Sequence, residues 1–160
     1  MRKMRVALVA LVVASLAACV PSPSASAGDV LVPLDPVPYV LEVPESLGAR
    51  LSTRVLQDTT FAAQAAADGA LAAVELVFTA DDGTESTFLV AYEFPDHVYD
   101  ALQAPDAPPP YGDEIIRRDG RVLSVAGPFD IPFDPTSADG QAWAALFPLT
   151  RDLTSYQREP

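Results

Sequence analysis

Residues 74–94, VELVFTADDGTESTFLVAYEF, decide the fold class. Val74, Leu76 and Phe78 recur at every second position, which in a pleated strand puts them on one face. Asp81-Asp82-Gly83 then supplies a turn, because Asp tolerates and Gly favours the backbone that tight hairpin turns require. Phe88, Val90, Tyr92 and Phe94 resume the two-residue period. They predict an antiparallel partner strand with all four side chains on one face. A lone hairpin is marginal in water, so this one needs neighbours to cover its apolar face.

The flanking sequence provides them. Upstream, Tyr39, Leu41 and Val43 alternate with polar residues until Pro44, predicting a short first strand. Residues 49–56 alternate again, with Leu51, Thr53 and Val55 opposite Arg50, Ser52 and Arg54. Between them and the hairpin, FAAQAAADGALAA favours helix by propensity but is interrupted by Asp68-Gly69, so the structure of residues 57–73 stays open.

Downstream, Pro95-Asp96 opens a short helix to about Gln103, with Val98, Ala101 and Leu102 facing inward. A loop from Pro105 to Pro110 carries four prolines. Glu114 to Arg118 and Arg121 to Ala126 flank Asp119-Gly120, a strong hairpin signal. Thr136 or Ser137 is placed to cap a helix with Trp143, Leu146 and Phe147 on one face, continuing through Leu149, Leu153 and Tyr156. Pro148 lies inside it and lacks a backbone donor, which predicts a kink or two short helices.

Antiparallel hairpins covered by a C-terminal helix make an α+β fold. The order is YVLEVP, the VELVFTADDGTESTFLVAYEF hairpin, a short helix, the EIIRRDGRVLSVAGP hairpin and a terminal helix ending in LTSY. This layout resembles the PsbP-like α/β sandwich of small bacterial lipoproteins over residues 39–157. The resemblance implies a non-catalytic binding or accessory role and supplies no catalytic residues.

The N-terminus has a different build. Arg2, Lys3 and Arg5 form a basic head, Val6 to Ala18 form an apolar core, and small residues precede Cys19, the only cysteine in the chain. These are the parts of an export signal. The apolar run is shorter than the roughly 20 residues that span a bilayer core, which argues against a permanent transmembrane helix. Leu16-Ala17-Ala18-Cys19 resembles the lipobox of bacterial lipoproteins. That resemblance implies cleavage between Ala18 and Cys19 and lipidation of the Cys19 thiol, with the acyl chains holding the protein on the outer face of the cell membrane. Val20 rather than Asp follows Cys19, so by the same convention there is no inner-membrane retention signal. A rival cleavage site, Ala25-Ser26-Ala27 before Gly28, would release a soluble secreted protein instead. It lies beyond the apolar core and after Pro21 and Pro23.

The expected organisation is a signal peptide at 1–18, a lipidated cysteine and proline-rich tether at 19–38, and the α+β domain at 39–157. Residues 20–38 carry five prolines with serines between them, a composition for a semi-extended spacer of about 3 Å per residue. The Val30-Leu31-Val32 patch within it is apolar enough to lie on the domain instead. Removal of residues 1–18 leaves 142 residues, with seven arginines against 22 acidic side chains, a formal charge of −15. Such a surface repels nucleic acid and anionic headgroups, and it suits solubility or a basic partner. With Cys19 lipidated, no thiol remains for a disulfide, a zinc site or cysteine catalysis.

Other candidate chemistry is sparse. His97, the only histidine, stands beside Asp96 and three residues before Asp100. It could serve as an oriented general base in a secreted hydrolase, although no G-x-S-x-G motif accompanies it. Asp81, Asp82 and Glu85 crowd one turn, and Asp130, Asp134 and Asp139 recur near another. A divalent-cation binder is the alternative they raise, but neither run has calcium-loop spacing, and turn or cap chemistry explains both. Pro108-Pro109-Pro110-Tyr111 matches a PPxY ligand by letter and reads as a stiff loop that limits strand-edge exposure. Arg117, Arg118 and Arg121 form the one basic cluster after Cys19, placed either to hold an anion or to pair with Asp113, Glu114 and Asp119. The expected function is a cell-envelope lipoprotein without catalysis, metal or cofactor, acting on an envelope protein or a small amphiphile.

Intact mass of the native protein should show a lipid adduct on a chain beginning at Cys19, absent from a Cys19→Ser variant. A chain beginning at Gly28 would exclude the anchor.

Overall fold

The hairpin of residues 74–94 forms the middle of a five-stranded antiparallel sheet in the computed structural model, which describes residues 28–57 and 59–158. In chain order the strands are β1 (Asp29–Pro33), β2 (Tyr39–Pro44), β3 (Leu51–Val55), β4 (Ala72–Thr79), β5 (Glu85–Pro95), β6 (Asp113–Arg118), β7 (Arg121–Ala126) and β8 (Tyr156–Arg158). The helices are α1 (Glu45–Gly48), α2 (Thr60–Ala67), α3 (Asp96–Leu102) and α4 (Ala138–Arg151), with a 3₁₀ turn at Leu153–Ser155. The large sheet runs β3-β4-β5-β7-β6 and a small sheet runs β1-β2-β8, every pairing antiparallel. The fold is α+β, as the hairpin pattern predicts.

A register shift sets how the central hairpin faces its neighbours. Leu76 pairs with Leu89 but Val77 pairs with Thr87, leaving Phe88 as the extra residue of a β-bulge. The bulge turns Phe88 to the same side as Leu89 and Ala91, while Val90, Tyr92 and Phe94 face the opposite side. The expected single face of Phe88, Val90, Tyr92 and Phe94 is therefore split. Strict alternation cannot survive an inserted residue.

Each face builds its own core. On one, the small sheet contributes Tyr39, Leu41 and Val43, the large sheet contributes Leu76, Phe78 and Phe88, and α4 adds Trp143 and Leu146. Trp143 meets the Phe88 ring at 4.7 Å and the Phe78 ring at 5.6 Å, both edge-on, a favoured aromatic geometry. On the other face, Tyr92, Phe94 and Val122 pack against Ala65 of α2, Tyr99 of α3 and Tyr111.

Two boundaries differ from the sequence reading, and one segment left open there takes a definite form. Residues 29–38 are not tether: β1 pairs with β2 along its whole length, and Val32, Leu34 and Val37 are buried. Proline content suggested a spacer, but the apolar side chains between the prolines fill the first core. Residues 60–67 are the helix α2, capped by the Thr59 hydroxyl accepting from the Ala62 N–H at 3.0 Å. Finally, α4 is one helix, not two. Pro148 and Ala144 lie on its exposed side, so the carbonyl that loses its donor faces water.

The same helix faces differently from the prediction. Trp143, Leu146 and Thr150 are buried, but Phe147 is half exposed and Leu153 lies outside α4 and is exposed. Tyr156 belongs to β8, where it pairs with Leu41 and donates to the Thr150 carbonyl at 2.8 Å. In α3 it is Tyr99 that is buried, while Ala101 is exposed. Asp119 and Gly120 both have positive φ, as the Asp-Gly hairpin signal demands.

Tyr111 carries the second core's polar anchor. Its hydroxyl donates to Asp68 Oδ2 at 2.5 Å, and Gln64 Nε2 donates to the same carboxylate at 3.0 Å. The Gln64 bond first, then that of Tyr111, hold the Asp68 carboxyl below its ordinary range. A depressed carboxylate pKa gives stability above the unfolded value, lost as pH falls through the folded one. Tyr111→Phe should therefore lower the melting temperature at pH 7. The gap to wild type should narrow as pH drops below about 4, measured by thermal melts across pH.

Candidate functional site

The residues singled out by sequence are mostly not brought together. Cys19, Ala18 and the lipobox lie outside the described residues, as do Ala25 to Ala27. His97 sits on α3 with its side chain 81% exposed, and Nδ1 lies 3.6 Å from Asp96 Oδ1. Asp100 is turned instead to Arg117, whose hydrogen bonds are the main reason its carboxyl is held below the usual range. His97 lines neither of the two grooves described below.

The acidic runs are engaged by turns and by arginine. Asp82 Oδ1 accepts from the Thr84 N–H at 2.8 Å, and Asp134 Oδ1 accepts from the Thr136 hydroxyl at 2.7 Å and N–H at 2.8 Å. Ser137, not Thr136, caps α4, accepting from the Gly140 N–H at 3.0 Å. Arg50 bridges Asp81, at 2.5 Å, and Asp139. Among the described residues no group of three or more His, Cys, Asp or Glu side chains is arranged to hold a metal.

Two of the three arginines of the cluster are paired. Arg117 pairs with Glu114 and Asp100, both at 2.7 Å, and Arg118 with Asp119 at 3.5 Å. Asp113 goes instead to Arg151 of α4. The PPxY letters are not a free ligand, since Tyr111 is buried with its ring 5.0 Å from Tyr92 and 4.9 Å from Phe94.

What the fold does assemble is an exposed apolar band that the sequence reading missed. It starts at Gly127, whose φ of +112° suits glycine. A Cβ there would stand 2.8 Å from the Phe88 carbonyl oxygen and 3.1 Å from Leu89 Cα. The chain can thus cross close over the β5 bulge before running through residues 128–135. Pro128, Pro132 and Pro135 fix φ along this segment. Phe133 turns inward, 5.4 Å from both Phe78 and Trp143, and pins the loop to the first core. Phe129 and Ile131 remain outside, each 72% exposed.

Two open grooves flank Phe129. One, of about 500 Å³, lies between the loop and α4 and is lined by Phe129, Asp130, Ile131, Trp143, Ala144 and Phe147. The other, of about 360 Å³, lies between the loop and α2, with Leu56, Phe61, Val90 and Tyr92 in its wall. Phe61 is 75% exposed and Phe147 50%, so the band runs from α2 across the loop to α4. Trp143 Nε1 is buried beneath it and meets no acceptor among the described residues.

Positive charge near the band is already engaged. Arg151 lies 5.7 Å from the Phe147 ring but donates to Asp113 and to the Gly127 carbonyl. Arg54 is held by Glu75 at 2.6 Å. Asp130 lines the larger groove and enters no ion pair among the described residues. The Thr136 hydroxyl and N–H keep the Asp134 carboxyl below its ordinary range and so ionised. The uncompensated charge at this face is negative.

Replacing Phe129 and Ile131 together by Ser should change unfolding free energy by less than about 0.5 kcal/mol each. Phe88→Ala in the core beneath should cost about 3–5 kcal/mol. Urea denaturation of both variants checks the contrast between an exposed band and a structural core. No family model, curated protein or solved structure matches the chain.

Proposed function

We propose that this chain is a lipid-anchored, extracytoplasmic binding module of the cell envelope, PsbP-like in layout and without catalysis. The basic head, apolar core and Leu16-Ala17-Ala18-Cys19 support export and anchoring at Cys19. Two or three acyl chains hold a protein stably on a membrane, whereas one is marginal. Among the described residues no helix is long and apolar enough to cross a membrane, so lipid at Cys19 is the attachment this reading uses.

The observation that carries the binding role is the band of Phe61, Phe129, Ile131 and Phe147. Phe61, Phe129, Ile131 and Phe147 are four of the eight large apolar side chains exposed among the described residues, and contiguous exposed apolar surface marks interaction sites. Trp143 and Leu146 of α4 pack into the first core beside Leu76, Phe78 and Phe88 of the large sheet. An open patch of this kind favours a protein partner over an enclosed small ligand.

Crosslinking in intact cells should yield a defined envelope adduct with the lipidated protein. The adduct should be lost in the Phe129→Ser/Ile131→Ser double variant at equal abundance. An adduct pattern indifferent to both substitutions would remove the binding role from this face.

A further inference from the structure

Resting on the reading of the band as a binding face, we propose that its occupant is a cationic amphipathic segment of a partner protein, apolar side chains entering the two grooves and basic ones meeting Asp130. Shape supports a polypeptide. Phe129 stands as a ridge between the grooves, so an occupant must deliver separate apolar groups on either side of it. A compact small molecule buries most of its surface in its pocket, and both grooves are open. Residues 128–133 form no backbone hydrogen bond with other described residues. Phe129, Asp130, Ile131 and Phe133 carry an N–H there, whereas Pro128 and Pro132 offer only a carbonyl, and an extended chain is the occupant for which main-chain bonds give affinity and alternate side chains give specificity.

Charge selects among partners. The chain carries a formal charge of −12, and −15 once residues 1–18 are removed. A second copy would bring the same acidic surface to this one, and an anionic lipid surface is repelled likewise. Arg151, which lies over the Phe147 ring, is paired, as are Arg50 and Arg54. Among the described residues the two grooves are lined by no Lys or Arg for an acidic segment, and Asp130 is left for a basic one. Lysine or arginine stems also lie well on aromatic surface, which Phe129 and Phe147 provide.

Trp143, the only tryptophan, lines the larger groove and serves as a built-in reporter. The experiment holds the native lipidated chain in phosphatidylcholine nanodiscs and titrates it with short synthetic peptides of alternating lysine and leucine, or glutamate and leucine, following Trp143 emission. The lysine peptide should produce a saturable shift that weakens with added salt, and the glutamate peptide none. Asp130→Lys should weaken binding about five-fold or more, whereas Asp106→Lys, the same charge change on the proline-rich loop, should leave it unchanged. The Phe129→Ser/Ile131→Ser double variant should abolish it.

Equal binding of the two peptides, or no binding of either, overturns the charge assignment while the crosslinking experiment still reports on the face. Equal weakening by Asp130→Lys and Asp106→Lys overturns it too, reducing the attraction to that of the whole acidic surface. An emission shift on moving from the soluble Cys19→Ser chain to the nanodisc, before any peptide is added, assigns the band to the bilayer instead.

Discussion

The contact of Phe88 with Trp143 at 4.7 Å is the one on which the other features depend. It exists because the β4–β5 register gains a residue between Leu76 and Val77, turning Phe88 toward α4. Without that insertion Phe88 would share a face with Val90, Tyr92 and Phe94, and Trp143 would lose the nearest of the three rings it meets. With it, the sheet presents aromatic side chains on both faces and acquires two cores. Bulges also increase local twist and bend the strand that carries them. Here the bulge lies where Gly127 brings the chain across β5.

The band follows from that crossing. A segment starting at Gly127, constrained at Pro128, Pro132 and Pro135 and pinned by Phe133, has nowhere to bury Phe129 and Ile131. The interior beneath is already occupied by Phe78, Phe88 and Trp143. These side chains are exposed because the core is full, and the prolines reduce the conformational entropy that binding would otherwise cost. The arginines contribute in the opposite sense. Each one near the band is committed to a structural carboxylate, so the surface that remains is apolar and negative.

Much of the scaffold was legible in the sequence. Alternation and turn residues located β2 through β7, Asp119-Gly120 marked its hairpin, and Ser137 was a named cap for α4. The misplacements share a cause. Proline content hid β1, since the pairing of Asp29–Pro33 with β2 and the burial of Val32, Leu34 and Val37 are non-local. The 3.6-residue pattern put Phe147 inward and extended the helix to Tyr156, whereas the turn at Leu153–Ser155 sends Tyr156 into β8. Of the candidate site residues, His97 was visible as a type but not as an exposed side chain. Phe61, Phe129 and Ile131 had no periodic signal at all, only the oddity of apolar residues in unstructured or alanine-rich surroundings.

The sequence by itself determined the α+β class, the acidic balance and the signal-like head ending at Cys19, because each depends on residue type at short spacing. Only the tertiary structure decided which apolar residues are core and which are surface. Burial depends on what comes from elsewhere in the chain to cover a side chain, and a single inserted residue at Phe88 decides which of the two cores that ring joins.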